Sequence, residues 1–134
     1  MLVLHRFNPA DVAALLPGVP GQAGMTPAEW EAYCDERGLL AFAAEEDGEL
    51  VGLALAESGP QAVHVLAADG RPDACRLLVE RLVRLAGERD VTAWCPEDKG
   101  DLRETLRGLG FVDLHRGDFL GRPSHYYRLG RNDP

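Results

Sequence analysis

The chain has 134 residues, of which 46% are hydrophobic and 27% charged, and its formal net charge is −8. This length suits one soluble domain with a sizeable core, and no apolar run approaches the roughly 20 residues of a membrane-spanning helix. The acidic balance argues against a nucleic-acid partner, because phosphate binding needs a basic face. Since the N-terminal residues show no secretory pattern, we expect a cytoplasmic protein. The three scattered cysteines predict neither disulfides nor a metal site.

The first quarter of the sequence predicts a strand over residues 2–7 and two short helices. The first helix begins with an Asn-Pro-x-Asp signal and is expected to run to about Leu16. The second begins at Thr26, which forms a capping box with Glu29. Gly38 is the expected end of this helix.

The next part of the sequence predicts three strands joined by tight turns. Apolar runs over residues 39–44 and 50–56 flank an Asp-Gly pair, which is a strong hairpin signal. A third strand over residues 62–67 completes an antiparallel meander. Gly52, inside the second strand, predicts a bulge or a close backbone approach.

The second half of the sequence alternates helices and strands. Leucines at helical spacing predict helices over residues 73–86 and about 102–110, and a strand lies between them at 91–95. Residues 111–114 and 126–129 read as two final strands joined by a long loop. A strand, a helix and another strand imply a parallel pair, so we predict an α/β fold with a mixed, mostly antiparallel sheet of about seven strands and about four helices.

The junction between the third strand of the meander and the long helix, residues 69–75, is a potential anion site. A helix N-terminus offers unpaired backbone N–H groups and the positive end of the helix dipole. Arg71 and Arg76 flank this junction, and guanidinium groups bind phosphate well. Both arginines are equally well explained as solvated surface residues, so the two interpretations stay open.

Three segments, together with the order of the elements, carry a resemblance to a known family. They are Glu-Asp-Gly-Glu-Leu-Val-Gly at 46–52, Leu-Arg-Gly-Leu-Gly-Phe at 106–111 and Tyr-Tyr-Arg-Leu at 126–129. The chain thereby resembles the GNAT superfamily of N-acetyltransferases over nearly its whole length. The resemblance implies a single domain over residues 1–134, whose two central strands splay to form a coenzyme slot. It also implies acetyl transfer from acetyl-coenzyme A to an amine of a small molecule or peptide by direct attack.

The resemblance places the coenzyme against the third meander strand and the loop that follows. The family loop carries an Arg or Gln followed by two glycines, and here Gly70, Asp73 and Cys75 stand at those three positions. As an N-cap, Asp73 would accept the same N–H groups that a pyrophosphate needs. The coenzyme-binding residues implied are Val65, Leu66, Ala67, Gly70, Arg71, Pro72, Asp73, Ala74, Cys75 and Arg76.

The resemblance does not assign a catalytic residue. Leu106 stands where the family carries a tyrosine that protonates the departing thiolate, and Lys99 where an asparagine is common. His64 is either a possible base or a structural histidine, and Cys95 is either a nominal nucleophile or a buried thiol. Glu57 is either a base or a solvated strand-end residue. Candidates for the acceptor side, each also explained by packing, are Trp30, Tyr33, His125, Tyr126 and Tyr127.

Two functions from different classes follow from these observations. The first is an acetyl-coenzyme-A-dependent N-acetyltransferase. The alternative is a non-catalytic GNAT-fold domain that binds a ligand or a partner, which the residues Asp73 and Leu106 favour. A homodimer that completes the cleft across its interface is a further possibility, and it rests on the predicted loop over residues 117–123.

Overall fold

The computed structural model describes residues 1–12, 26–119 and 122–130, so the predicted end of the first helix near Leu16 lies outside the described residues. The strands are β1 (Leu2–Phe7), β2 (Leu39–Glu46), β3 (Glu49–Ser58), β4 (Ala62–Gly70), β5 (Asp90–Pro96), β6 (Val112–Phe119) and β7 (Arg122–Leu129). The helices in the described ranges are α1 (Pro9–Val12), α2 (Pro27–Arg37), α3 (Pro72–Ala86) and α4 (Gly100–Gly108).

The seven strands form one mixed sheet in the order β1-β2-β3-β4-β5-β7-β6. Strands β4 and β5 pair in parallel, and the other described pairs are antiparallel. The predicted α/β class and mostly antiparallel sheet are therefore confirmed. None of the helices within the described ranges has the length and apolarity needed to cross a bilayer.

Helix α2 begins and ends as the sequence predicts. The backbone N–H of Glu29 donates to Oγ1 of Thr26 over 3.2 Å, and the N–H of Thr26 donates back to the Glu29 carboxylate over 3.4 Å. Gly38 follows the helix in the left-handed conformation, with φ of 64°. The chain then enters β2 directly, so these local signals fix where the helix stops and the sheet resumes.

The predicted meander of β2, β3 and β4 is confirmed, and its strands are longer than expected. Asp47 and Gly48 form the first turn, both with positive φ, as a two-residue hairpin turn requires. A Cβ on Gly52 would lie 2.8 Å from Cβ of Ala74, so the predicted close approach is the contact between β3 and α3. Strand β4 extends to Gly70, because β3 is long enough to pair with it there.

The predicted long loop before the last strand is wrong. Strands β6 and β7 form a hairpin whose pairing continues out to Phe119 opposite Arg122. The predicted strand at residues 111–114 is the start of β6, and beyond Leu114 this exposed edge strand is mostly polar and lacks the apolar alternation that predicts a strand. The homodimer hypothesis rested on that loop, which the hairpin replaces.

Two apolar clusters lie on opposite faces of the sheet. Helices α3 and α4 cover one face, which we call the α3 face, with Val63, Val65, Ala93 and the helix leucines in its core. Helices α1 and α2 lie against β2 and β3 on the other face, which we call the α2 face. The three cysteines are buried and free.

Candidate functional site

The two central strands splay apart at the middle of the sheet. Strands β4 and β5 pair over the four positions from Ala62 opposite Asp90 to Val65 opposite Ala93. Beyond this point β4 stays paired with β3 and β5 stays paired with β7. The predicted splay is therefore confirmed, and we call the opening between the two strands the slot.

A β-bulge marks the point where the slot opens. Val65 pairs with Ala56 and Ala67 pairs with Leu55, so Leu66 has no partner on β3. A bulge bends its strand and changes which face the following side chains occupy. Consequently Leu66 and Ala67 both pack on the α2 face, and Ala68 returns to the α3 face.

The slot side of β4 is lined by backbone groups. The N–H of Arg71 donates to the carbonyl of Val51 on β3 over 2.9 Å. Because successive residues of a strand direct their backbone groups to opposite sides, those of Gly70 and Ala68 face the slot. The N–H of Gly70 donates to the carboxylate of Asp69 over 2.9 Å.

An ion pair spans the mouth of the slot. Nζ of Lys99, the residue before α4, lies 2.8 Å from Oδ1 of Asp69 near the end of β4. Partial burial opposes ionisation of Asp69, but the hydrogen bonds from Lys99 and the Gly70 N–H outweigh it and hold the pKa of Asp69 below its ordinary value. Lys99 is the only lysine of the chain, but its sequence position does not indicate Asp69 as its partner.

Helix α3 begins one residue earlier than predicted, and the predicted N-cap role of Asp73 is wrong. The helix starts at Pro72, and Arg71 is the N-cap residue without a side-chain capping bond. Proline fits the first helical position because its φ is already helical and it has no N–H to satisfy. Asp73 therefore lies inside the first turn, where its carboxylate accepts the N–H of Ala74 over 2.9 Å.

Both arginines that flank the junction are engaged by carboxylates. The guanidinium of Arg71 donates to both carboxylate oxygens of Asp73, over 3.1 and 2.9 Å, and to Glu46 over 2.8 Å. These bonds lower the pKa of Asp73 and of Glu46 and raise that of Arg71. Arg76 donates to Glu80, one helical turn away, over 3.0 Å. An incoming phosphate must therefore compete with carboxylates for either arginine.

The backbone donors of the junction also have protein partners. The N–H of Cys75 donates to the Arg71 carbonyl over 2.9 Å, as in any first helical turn. Its thiol lies 3.7 Å from the Gly70 carbonyl, and burial raises the pKa of Cys75 to about 11. With the N–H groups of Arg71 and Ala74 also bonded and none on Pro72, the start of α3 is largely satisfied by the protein itself.

The other residues considered for catalysis have structural surroundings. Leu106 is fully buried in the core of the α3 face. Cys95 is buried beside the carbonyls of Pro96 and Lys99, and burial raises the pKa of its thiol to about 11. Nδ1 of His64 lies 2.5 Å from Oγ1 of Thr92 on the neighbouring strand. Glu57 is the register partner of His64 on the other side.

The acceptor-side candidates separate to different places. His125 lies between Asp113, 2.8 Å from Nδ1, and Glu97, 3.3 Å from Nε2. Tyr127 is fully buried on the α3 face, its hydroxyl has no hydrogen-bond partner among the described residues, and burial raises its pKa. Tyr33 packs against the apolar cluster of the α2 face. The side chain of Trp30 lies outside the described part of the structure.

Four aromatic rings form a cluster that the sequence analysis did not predict. Trp94 stacks on Phe119 with ring centroids 5.1 Å apart and lies 4.9 Å from Tyr126. His115 stacks on Tyr126 at 5.2 Å. The four residues come from β5, β6 and β7 and share the α2 face, and we call them the ring cluster. Only the pairing of these three strands brings them together, so the sequence carries no local signal for the cluster.

The GNAT acetyltransferases share this fold. It is a mixed seven-stranded sheet whose two central strands splay beyond a bulge, and a helix leads from the first of these strands to the second. A protein of Desulfovibrio desulfuricans assigned to the GNAT family matches 97% of this chain over 99% of its own length, at a TM-score of 0.64 and 20% identity. Arabidopsis thaliana NAA60 in complex with a bisubstrate analogue matches 96% of this chain over 95% of its own length, at a TM-score of 0.66 and 14% identity.

An aminoglycoside acetyltransferase in complex with coenzyme A gives a similar result. It matches 98% of this chain over 95% of its own length, with a TM-score of 0.66 and 15% identity. No protein-family model and no curated protein sequence matches the chain. The chain therefore shares the fold of these proteins, and the fold alone does not establish its function.

Proposed function

We propose that the protein is an N-acyltransferase that transfers an acetyl group from acetyl-coenzyme A to an amine of a small molecule or peptide. The observation that carries this proposal is the slot, which opens at the Leu66 bulge and presents strand backbone groups along its β4 side. Proteins of the same fold are described with coenzyme A or a bisubstrate analogue. An extended, amide-bearing arm such as that of coenzyme A can pair with a strand edge of this kind.

The reaction that suits this slot is direct attack of the amine on the thioester. The amine nitrogen forms a bond to the carbonyl carbon, the carbonyl oxygen becomes an oxyanion, and the C–S bond then breaks to release the thiolate. Backbone N–H groups on the slot side of β4, near Ala68, are the donors we assign to the oxyanion. Since Leu106 carries no proton to give, water accepts the proton that the attacking nitrogen loses and protonates the leaving thiolate.

The phosphate end of the coenzyme fits the slot less well than the acyl end. Arg71 is the cation nearest to the start of α3, and it is held by Asp73 and Glu46. Binding of a pyrophosphate there requires Arg71 to exchange at least one carboxylate for a phosphate. We therefore expect weak coenzyme binding with the carboxylates in place and tighter binding when one is removed.

The substitution Asp73→Gly tests this expectation. It removes one carboxylate from Arg71 and frees the N–H of Ala74, so we expect the dissociation constant for acetyl-coenzyme A to fall by about tenfold, the equivalent of one good charge-assisted hydrogen bond. Binding of S-acetylpantetheine, which has no phosphate, should not change. Calorimetric titration of both ligands measures the difference. Asp11→Gly, a first-turn acid of α1 on the opposite face, is the matched control.

The second candidate function is a non-catalytic domain that binds another ligand or a partner. The satisfied N-terminus of α3 and the buried Leu106 favour it. Ligand binding to the native state must raise the melting temperature. If millimolar acetyl-coenzyme A stabilises neither the natural protein nor the Asp73→Gly variant, and no amine releases free thiol from it, the acyltransferase proposal is wrong and this second candidate stands.

A further inference from the structure

The half of the α2 face that lies beyond the slot carries the ring cluster. Helices α1 and α2 lie against β2 and β3, on the other side of the slot. On the half formed by β5, β7 and β6, His115 is exposed and Trp94, Phe119 and Tyr126 are partly exposed. Aromatic rings are strongly favoured in burial, so four neighbouring rings that remain accessible mark this surface as a binding site.

Trp94 is the member of the cluster that borders the slot. It follows Ala93, the last residue of β5 that pairs with β4. The rings of Phe119 and Tyr126 contact it from the β7 and β6 side, and Gly117 leaves space there, since a Cβ at that position would lie 3.4 Å from the indole. On the slot side the neighbouring strand has departed. The indole therefore forms one wall of the slot on the α2 face.

The opposite wall of the slot on this face is aliphatic. The bulge places Leu66 and Ala67 side by side on the α2 face, where both are partly buried. The hydrogen-bonded pair of His64 and Thr92 lies one register step back, where the strands still touch. A flat apolar group fits between an indole and two aliphatic side chains, and a charged or bulky polar group does not.

The charges around the ring cluster determine whether a positively or a negatively charged ligand is favoured. Arg128 lies 2.7 Å from Asp90, and Arg122 lies 2.8 Å from Asp98, so these bordering arginines already have carboxylate partners. The faces of aromatic rings carry negative potential and attract ammonium groups. The net charge of −8 adds to this preference. The surface therefore suits a cationic amine and disfavours an anionic acceptor.

On the basis of the proposed acyltransferase function, we propose that the acceptor is a primary amine carried on a short chain by an aromatic ring, with its ring against Trp94 and its nitrogen in the slot. The nitrogen, after loss of its ammonium proton to solvent, bonds to the acetyl carbon of the coenzyme and then gives up a second proton to water. The C–S bond breaks with its electron pair on sulfur, and water supplies a proton to the thiolate. The products are the N-acetylated arylalkylamine and free coenzyme A.

The experiment compares 2-phenylethylamine with 2-cyclohexylethylamine, which has the same chain and charge but no aromatic face. Initial rates of thiol release give KM and kcat for each amine. We expect the KM of the aromatic amine to be lower by about fivefold, the effect of one ring-stacking contact, since both amines carry the same ammonium group. The Trp94→Leu variant should remove this difference by raising the aromatic KM alone. Leu50→Ala, at an exposed position of β3 away from the slot, is the control.

Further variants and a direct binding measurement separate the possible failures. Trp94→Phe keeps a ring and should retain part of the preference if Trp94→Leu does not fold. Equal KM values for the two amines, or a preference that survives Trp94→Leu, would overturn the inference and leave the acyltransferase function intact. If no amine is acetylated, calorimetric titration of 2-phenylethylamine with and without coenzyme A decides. Trp94-dependent binding then supports the aromatic site without the reaction, and no binding refutes it.

Discussion

The two sides of the slot are built from different chemistry. On the α3 side, at the start of the helix, Arg71 pairs with Asp73 and Glu46, so charged groups close on one another. On the α2 side the walls are apolar and the rings beside them remain accessible. The splay itself needs only the strand pairing and the bulge. The splay therefore does not depend on the side chains around it, which are charged and paired on the α3 side and apolar on the α2 side.

This difference bears on which substrate each side can select. Ion pairs between exposed groups are weak and are screened by salt, so a polyanionic ligand can exchange partners with them on the α3 side. An apolar wall offers no such exchange and selects by the shape and flatness of the group that it contacts. We expect salt to affect coenzyme binding strongly and amine binding only slightly.

The largest effect on stability is expected from a substitution at Gly70, at the end of β4 on the α3 side of the slot. Gly70 has φ of 125°, and a Cβ there would lie 2.3 Å from the carbonyl oxygen of Val51. Gly70→Ala combines backbone strain with a steric overlap, so we expect it to lower the free energy of unfolding by about 3 kcal/mol. Urea unfolding measures the loss. Gly100→Ala, where a Cβ meets nothing within 4 Å, is the matched control.

A loss below about 1 kcal/mol for Gly70→Ala would mean that the end of β4 yields easily. The α3 side would then not be a fixed wall, and the contrast with the α2 side would weaken.

A smaller change in the free energy of unfolding, this time an increase, is expected from removal of the buried hydroxyl of Tyr127 on the α3 face. The hydroxyl of Tyr127 is buried without a partner among the described residues, and an unsatisfied buried polar group costs about 1–3 kcal/mol. Tyr127→Phe removes that cost and should stabilise the protein by about 1 kcal/mol. Tyr126→Phe, on the accessible α2 face, should be nearly neutral. Destabilisation by Tyr127→Phe in urea unfolding would show that the hydroxyl has a partner, such as an ordered water.

The smallest effect sharpens the comparison by measuring the ion pair at the slot mouth. A double-mutant cycle of Asp69→Asn and Lys99→Met should give a coupling of about 0.5 kcal/mol at neutral pH, since both groups are partly exposed. The folded pKa of Asp69 lies below its ordinary value. The coupling is therefore fully present above about pH 4 and is lost as the pH falls through the lowered pKa. An unchanged coupling at pH 2 would contradict this assignment.

Sequence predicted the elements whose signals are local. The capping box at Thr26, the Asp-Gly turn before β3 and the leucine spacing of α3 each lie within a few residues, and each is present in the structure. Strand β6 was predicted to end at Leu114 and in fact extends to Phe119, because most of its residues are exposed on both sides. A strand of this kind is specified by the neighbour it pairs with and not by its own periodicity.

The side chains around the slot depend on contacts between distant parts of the chain. Glu46 reaches Arg71 across the hairpin, and Lys99 meets Asp69 from the start of another helix. The sequence places the junction at residues 69–75, where β4 ends and α3 begins. It does not show which charged side chains pair with one another there. Neutralisation is set by strand register, which no local motif encodes.

The bulge at Leu66 also determines where the length of this strand can change in evolution. Leu66 has no partner on β3 and shares its face with Ala67, so its removal would restore regular alternation from Val65 onward and leave every later side chain on its present face. An insertion between Ala67 and the end of β4 would exchange the faces of the residues that follow it, and Ala68 would leave the core. Related sequences should therefore differ in length by one residue at the bulge and keep a constant count between Ala67 and the start of α3.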